Sequence, residues 1–558
     1  MLERDAMKQI TTDILVIGGG ATGTAVARDC ALRGIPCVLV ERTDLAAGTT
    51  GRNHGLLHSG ARYAVKDFES AVECITENRI LKKIARHCIE ETGGLFVSLP
   101  EDDPAYHDAL VQACRRADIP CREIDVSTAL AMEPNLNPAV TRAVTVPDAT
   151  IDPFRLASAN ALDASERGAQ ILTHTRVTGF IVHQDAIAGA RCLDRCTRET
   201  FEVRAKVAIN ASGVWCQELC RMADIELVMF PSKGAMVILD YRINNVVLNR
   251  CRKPADGDIL VPGDTVSLIG TTSQRISYEA ISDLRVTDDE VRTLLKEGER
   301  LVPNLSRTRV LRAFCGVRPL VAASPGETHG RNITRGIVLI DHQQRDHVKN
   351  FITIAGGKLM TSRLMAEKAV NLACRKLGEN RPCRTAATPL PGSEEPVPRG
   401  VRALPFSESV AQSTYYRHGK RADDILEESD GGTGLICECE MVTSREVAYA
   451  LKHLHVKDIV DLRRRTRIGM GPCQGLFCAY RSAGAFIEHR HTDGTDATKM
   501  LIDFLEERWK GIRPVLWGDT LREAEFSYWI CQGIFGLAKT IASSPGRGEG
   551  VCLADEFE

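Results

Sequence analysis

Four cysteines carry the sharpest chemical pattern in the chain. Cys437 and Cys439 stand one residue apart, and Cys473 and Cys478 follow after thirty-three intervening residues. Two close pairs of thiolates on either side of a small helical hairpin can ligate one metal centre, either zinc or an iron–sulfur cluster. Structural zinc usually sits on C-x-x-C knuckles, a spacing that neither pair has. Near the other end, the apolar run Ile14-Leu15-Val16-Ile17 leads into Gly18-Gly19-Gly20-Ala21-Thr22-Gly23. Gly18, Gly20 and Gly23 have the G-x-G-x-x-G spacing. They serve in turn a tight turn, close approach of backbone to a pyrophosphate, and close helix–strand packing. A helix over 24–33, broken at Gly34, and a second buried strand over 36–40 complete a βαβ unit. The strand ends on Glu41, eighteen residues after Gly23, where a carboxylate accepts hydrogen bonds from an adenosine ribose. The helix N-terminus offers N–H groups and partial positive charge to phosphate.

No second nucleotide unit follows in the first 380 residues. Instead, scattered loops of small residues and glycine occur far apart, as suits FAD lying along one domain better than NAD. Arg42, Thr49 and Thr50 lie in a small-residue loop after Glu41 that can wrap a flavin's phosphates and ring. Val177 lies on an alternating strand, Ala211 and Gly213 follow a strand ending at Ile209, and Gly356, Gly357, Lys358, Leu359 and Thr361 follow the strand 351–354.

Five separated motifs in order make the resemblance specific: 18–41, Arg62-Tyr63, 210–215, Gly316-Val317-Arg318-Pro319-Leu320 and Gly356-Gly357-Lys358-Leu359. Together they resemble the FAD-dependent glycerol-3-phosphate dehydrogenases over roughly residues 10–380. The resemblance implies a dianionic phosphate ester whose secondary alcohol is oxidised by hydride transfer to the flavin. Fixed cations hold such a phosphate, and arginine's fork suits it. By resemblance Arg62, Tyr63, Arg318, Arg335 and Lys358 face the substrate. In related single-subunit enzymes a histidine follows the Lys-Gly-x segment, whereas here Lys233-Gly234-Ala235 is followed by Met236. His54 and His58, in the flavin-wrapping loop, then remain as proton acceptors, with water as the alternative and Arg318 as the polarising cation. Cys315, near the expected flavin, reads as an unmodified thiol rather than a covalent tether.

The cysteine spacing resembles the [2Fe–2S] domain of bacterioferritin-associated ferredoxin, which favours a cluster over zinc. With Trp509 and Trp517 in their segments of the tail, the whole chain resembles the catalytic subunits of anaerobic glycerol-3-phosphate dehydrogenases. That family works with two further subunits, a second flavoprotein and a membrane-anchoring iron–sulfur protein, passing electrons to quinone. The resemblance therefore implies a peripheral position on the cytoplasmic face of the inner membrane. Competing readings are a flavin amine or 2-hydroxy-acid dehydrogenase with a fused cluster domain, and a non-catalytic electron relay.

The elements that must position these residues are those of an α/β chain. The expected organisation is an FAD-dependent oxidoreductase over 10–385 with a Rossmann-like FAD-binding unit and an interleaved mixed-sheet substrate subdomain. A linker with a short helical piece over 386–434, a mainly helical [2Fe–2S] domain over 435–487 and a helical tail over 488–558 follow. Length alone suggests three or four domains. A formal net charge of −2 shows no bias toward nucleic acid or anionic lipid. The first twelve residues have no apolar core, so no signal peptide is expected, and no apolar run is long enough to span a bilayer. Most of the twenty cysteines, such as Cys30, Cys37, Cys74 and Cys88, read as buried thiols of a reducing compartment. Cys192/Cys196 and Cys216/Cys220 have helix-like spacing and read as ordinary thiols. A helix is expected over 68–90, a turn at Pro262-Gly263-Asp264, and a solvated face at Arg463-Arg464-Arg465-Thr466-Arg467, with cluster neutralisation or an acidic partner as alternatives. In the tail, Phe526, Trp529, Ile530, Gly533, Ile534, Leu537 and Ile541 form a helical stripe expected to be buried against protein, either this chain's own flavin domain or a partner subunit.

Overall fold

The computed structural model describes residues 8–321 and 336–537, apart from 402, 404, 429–431 and 535. Arg335 and Ile541 lie outside them. The βαβ unit forms as its pattern dictates, from strand Gln9–Ile17 through helix Ala21–Leu32 to strand Cys37–Val40. The helix begins three residues before the expected Thr24, capped by Gly20. Its first turn therefore grows directly out of the glycine loop. Both strands are buried along their apolar halves, Ile14, Leu15 and Val16 completely.

Gln9–Ile17 sits at the centre of an eight-stranded sheet, parallel to Cys37–Val40 on one side and to Thr200–Asn210 on the other. Gln170–Leu172 and Phe351–Gly356 extend the parallel part, so a strand more than 300 residues away in sequence closes the same layer. Ile17 is in register with both Val40 and Asn210, and Asn210 with Thr353. The carboxyl ends of the central strands thus share one edge, where open α/β sheets bind ligands. Helices Ala21–Leu32 and Ser362–Leu377 cover one face in a common core of Val26, Cys30, Ile352, Met365 and Val370.

The second layer is a nine-stranded, mostly antiparallel sheet interleaved with the first. Strand Ser232–Leu239 pairs with Val310–Arg318 and with Val266–Gly270. Proline and glycine at 262 and 263 end strand Ile259–Gly263 instead of forming the turn, which falls at Asp264 and Thr265. Asp264 takes the positive φ of 40°. The helix expected over 68–90 stops at Ile84, and Ile89–Glu90 is a strand. Cys192 belongs to strand Ala186–Asp194, so its spacing to Cys196 is not helical, while Cys216 and Cys220 do share a helix.

Beyond 386 the chain is better packed than a linker. Helices Glu408–His418 and Ala422–Glu427 lie there, and the Arg417 guanidinium is clamped by Glu446 at 2.6 Å with both side chains buried. Helices Ser444–His453, Ile459–Thr466, Cys478–Arg490 and Gly494–Ile512 build a small core on Phe486, Phe504 and Leu462.

One expectation fails here, and another holds only in part. The arginine run is not a solvated face. Arg465 is buried against Asp44 at 2.5 Å, Arg464 bonds the same carboxylate at 2.8 Å, and Arg467 reaches Asp264 at 2.5 Å. These pairs tie the helical domain onto both sheets. Of the tail stripe, Leu537 is buried, but Phe526, Trp529 and Ile534 are not covered by this chain's own residues and are exposed at 54%, 62% and 75%. Helix Gly518–Trp529 runs into a π turn over Ile530–Ile534. Helix Gly518–Trp529 instead turns Thr520 and Ala524 inward, and Cys531 in the π turn is buried as well.

Candidate functional site

A cavity of about 1550 Å³ opens along the carboxyl edge of the first sheet. One small ligand typically occupies roughly 300–1,000 Å³, so a dinucleotide and a small substrate fit together. Gly18, Gly20, Glu41, Arg42, Thr49 and Thr50 line one part of it. Val177, Ala211 and Gly213 line another, and Gly356, Gly357, Lys358 and Leu359 close the far side.

The backbone there fits a pyrophosphate-bearing cofactor. Gly18 has φ +116°, and a Cβ on it would stand 2.6 Å from the Ala211 carbonyl. A Cβ on Gly23 would fall 1.8 Å from the Gly18 carbonyl, so this third glycine serves helix–strand packing and does not line the cavity. Glu41 accepts hydrogen bonds from the Gly19 N–H at 2.7 Å and the Thr43 N–H at 2.8 Å, which fixes its carboxylate at the cavity wall. The Arg42 guanidinium stacks over Trp215 at 4.1 Å. Thr361 is buried and caps the loop, its hydroxyl accepting from the Lys358 N–H at 2.9 Å, so it acts on the cavity only through Lys358.

At the other end stand the substrate-facing candidates. Lys358 lies 4.6 Å over the Tyr63 ring. Tyr63 packs edge-on to His58 at 5.3 Å, and His58 to His54 at 5.9 Å. Arg318 closes the strand Val310–Arg318, where its guanidinium donates to Ser232 Oγ at 3.2 Å, Thr271 Oγ1 at 2.6 Å and the Thr272 carbonyl at 3.1 Å. It crosses Gly234, whose missing side chain would meet it at 2.8 Å. Those oxygens, with the Lys233 carbonyl at 3.4 Å, are neutral and hold the fork in place. The structure separates Arg62 from this group. Its guanidinium is bound at 2.9 Å to the buried carboxylate of Asp258, and it does not line the cavity.

His54 is half-buried, and its shielded Nδ1 has no hydrogen-bond partner among the described residues. Burial first, then the charges of Arg318 and Arg62, push its pKa down to about 3. The resting imidazole is therefore neutral, with a lone pair available. Met236, where related enzymes carry histidine, is buried under Gly270 in the substrate sheet. Lys233 pairs with Glu290 at 2.8 Å. Cys315 sits in the apolar core of that sheet and does not line the large cavity.

The four cysteines converge as their spacing requires. Cys437 and Cys478 are buried, Cys439 and Cys473 half-buried. Thiol contacts run from Cys437 to Cys478, on to Cys473, and on to Cys439. Hydrogen bonding from Cys439 and Cys478 pushes the Cys473 thiol far down, toward thiolate. The N–H groups of Gly475 and Phe477 point at that sulfur, and those of Glu440 and Gly469 at Cys437. Such donors fit an anionic cluster. Glycine lets the loop close. A Cβ on Gly471 would lie 2.5 Å from that of Cys439, and on Gly469 or Gly475 it would strike the Phe504 ring at 2.5 or 2.6 Å.

This domain docks on the substrate sheet beside its own ligand loop. Thr265 donates to Glu440 at 3.0 Å, and Arg309 donates to the Pro472 carbonyl at 3.0 Å. Sequence reasoning missed both bonds, as well as the role of Asp264. The turn signal at Pro262-Gly263-Asp264 pointed to the right segment and nothing more.

Residues 13–370 match the FAD dependent oxidoreductase family, and residues 435–484 match the BFD-like [2Fe-2S] binding domain. The chain is 55% identical over 530 residues to the A-type chain of the anaerobic glycerol-3-phosphate dehydrogenase of Escherichia coli strain K12, covering 95% of this chain and 98% of that protein. It is 41% identical to the A1-type chain of the corresponding enzyme of Haloferax volcanii, covering 93% and 89%. In fold it is similar to the glycerol-3-phosphate dehydrogenase from Bacillus halodurans, solved with FAD, at a TM-score of 0.66 and 22% identity, covering 91% and 97% of the two chains.

Proposed function

This chain belongs to the FAD dependent oxidoreductases, among the A-type chains of anaerobic glycerol-3-phosphate dehydrogenases, and from that premise we propose that it oxidises sn-glycerol 3-phosphate to dihydroxyacetone phosphate. The observation that carries this reading is the pairing of a cationic, histidine-lined end of the large cavity with a four-thiolate centre docked on the same substrate sheet. FAD and a [2Fe–2S] cluster are the cofactors, the flavin supplying the hydride acceptor and the cluster a one-electron outlet.

The chain's own residues bind and orient. Arg318 and Lys358 hold the phosphate dianion, Arg318 as a fork prealigned by Ser232 and Thr271. Tyr63, under the lysine, fixes the height of that ammonium. Arg335, outside the described residues, is a further phosphate ligand by sequence resemblance. Arg62 contributes charge from behind Asp258 without touching the ligand. His54 accepts the proton of the secondary hydroxyl at its Nδ1, with His58 steadying the ring. Burial, with the nearby Arg318 charge, keeps His54 neutral, and that charge is offset when the dianion binds Arg318. The imidazole becomes a better base as the substrate arrives.

The half-buried side of the cluster, with Phe477 exposed at 47% beside it, is the outlet to partner subunits. We assign those partners as a second flavoprotein and a membrane-anchoring iron–sulfur protein that passes electrons to quinone at the cytoplasmic face of the inner membrane. Among the described residues no helix is long and apolar enough to cross a membrane.

An anaerobic dye-reduction assay with a substrate panel tests the reading. Glycerol 3-phosphate should be oxidised at least a hundredfold faster than glycine, proline or lactate. Preference for an amino or hydroxy acid would assign the chain to the carboxylate-oxidising branch instead.

A further inference from the structure

A second, smaller cavity of about 320 Å³ lies between the flavin-wrapping loop, the substrate sheet and the helical domain. It shares the wall Arg52-Asn53-His54 with the large cavity, but Arg318, Lys358 and Tyr63 do not line it. Four of its arginines come from separate parts of the fold. Arg52 lies in the loop, Arg312 in strand Val310–Arg318, Arg463 in helix Ile459–Thr466 and Arg508 in helix Gly494–Ile512.

These arginines differ from their neighbours in one respect. Arg155 and Arg467, in the same cavity, are matched by Asp264 at 3.1 and 2.5 Å, and Arg467 also by Glu440 at 2.9 Å. Arg312, Arg463 and Arg508 are only 8%, 9% and 3% exposed, and the Nε of each has no hydrogen-bond partner among the described residues. The nearby carboxylate, Glu507, is shared with Lys510 at 3.5 Å. Arg508 bonds Gln474, a neutral amide in the cysteine loop. Arg312 is pressed against Gly511, where any side chain would meet its Nε at 2.7 Å. Burial, with the charge of Arg52 and against the pull of Glu507, pushes Arg312 down to about 10. Burial with the charges of Arg464, Arg312 and Arg52 pushes Arg463 to about 9.

A buried group of like charges with too little countercharge is unfavourable by several kcal/mol per unmatched ion. Unmatched buried donors have a similar cost and point to a missing acceptor. Forks converging from several directions suit a tetrahedral oxyanion with several acceptor oxygens better than a planar carboxylate. We propose that this cavity is a binding site for a phosphate group, as inorganic phosphate or the head of a small phosphate ester, that bridges the flavin loop, the substrate sheet and the cluster domain. It is separate from the substrate site, and because arginines on both sides of the domain seam face it, its occupancy stabilises their docking.

The test uses holoenzyme exchanged into phosphate-free buffer, with chloride holding ionic strength constant. Inorganic phosphate and glycerol 2-phosphate are titrated separately by calorimetry, with melting temperature recorded in parallel. The background is Arg318→Ala, which weakens phosphate binding at the substrate site. Saturable binding that persists in Arg318→Ala, and falls at least tenfold when Arg312→Met is added, supports the site. The tighter of the two probes identifies the free ion or the ester as the occupant. Arg312→Met should also melt no lower than the parent without phosphate, since it removes an unmatched charge, and should gain less when phosphate is added. Arg463→Met gives the same reading if Arg312→Met does not fold. Absence of saturable binding in Arg318→Ala, or binding unchanged by both seam variants, overturns the proposal. Neither result bears on glycerol 3-phosphate oxidation.

Discussion

The cofactor cradle and the seam between the helical domain and the sheets are built from opposite materials. In the cradle the backbone does the work. Glycines at 18 and 20 remove side chains so that N–H groups and a helix N-terminus can face a phosphate, and Gly23 lets that helix close on its strand. In the seam, side chains do it, through arginines 464, 465 and 467 meeting Asp44, Asp264 and Glu440 in burial. The glycine turn of the cradle is specified by a few consecutive residues and tolerates almost no added atoms. A seam is specified by pairs hundreds of residues apart, and each pair has to offset the desolvation of its own charges.

The largest effect should come from the cradle. Gly23→Ala places a Cβ within 1.8 Å of the Gly18 carbonyl, so bound FAD should fall at least tenfold while the [2Fe–2S] EPR signal survives. Retention of full FAD would show that the helix can slide away from the strand. On the far side of the seam, Cys437→Ser or Cys473→Ser should abolish that EPR signal with FAD content intact, whereas Cys192→Ser, buried in a strand, should leave it unchanged. Zinc without iron in protein purified without air would end the electron-relay account.

Arg465→Met leaves Asp44 buried with Arg464 alone, and breaking such a pair costs about 3–5 kcal/mol. Burial raises the Asp44 pKa, but Arg465 and Arg464 outweigh it and hold it at about 2. Asp44 therefore stabilises the fold above pH 3.8, and that contribution disappears as pH falls toward 2. The wild-type advantage over Arg465→Met, measured by chemical denaturation, should shrink below about pH 4. Arg318→Ala should lower kcat/KM for glycerol 3-phosphate at least about tenfold, as loss of a charged hydrogen bond costs roughly 1.5–3 kcal/mol, with FAD unchanged.

The smallest effect concerns Asp461, at the seam's edge. His174 bonds it at 3.0 Å, Arg464 lies 3.5 Å away, and Asp44 and Asp458 are close. Burial, then Asp44 and Asp458, push its pKa up to about 7. The folded state then holds a proton that the unfolded chain has released, so this residue lowers stability as pH rises from 3.8 to about 7. Asp461→Asn should gain on wild type across that interval and run parallel above it. A constant offset would assign the effect to the His174 bond rather than to charge.

The cradle was legible in the sequence because its requirements are local. A glycine that must take φ +116°, or an acid at the end of a strand, is visible without knowing the rest of the chain. The cysteine centre was legible for the same reason, since metal-ligand spacing is a short-range property. The arginine run looked like a solvated face because its partners, Asp44 and Asp264, lie hundreds of residues earlier and carry no mark of the encounter. Arg62 stood in the right motif, yet Asp258 takes its charge. The tail stripe had helical spacing, but helix Gly518–Trp529 buries Thr520 and Ala524 and leaves Phe526 and Trp529 outside, a choice of face that spacing alone does not reveal.

The most direct test is anaerobic titration of the purified holoprotein with glycerol 3-phosphate, following flavin and cluster absorbance together. Bleaching of the flavin band followed by loss of the cluster's visible absorbance, with dihydroxyacetone phosphate formed in proportion, is the predicted result. A flavin that stays oxidised in excess substrate, or that bleaches while an intact cluster never changes, would contradict it.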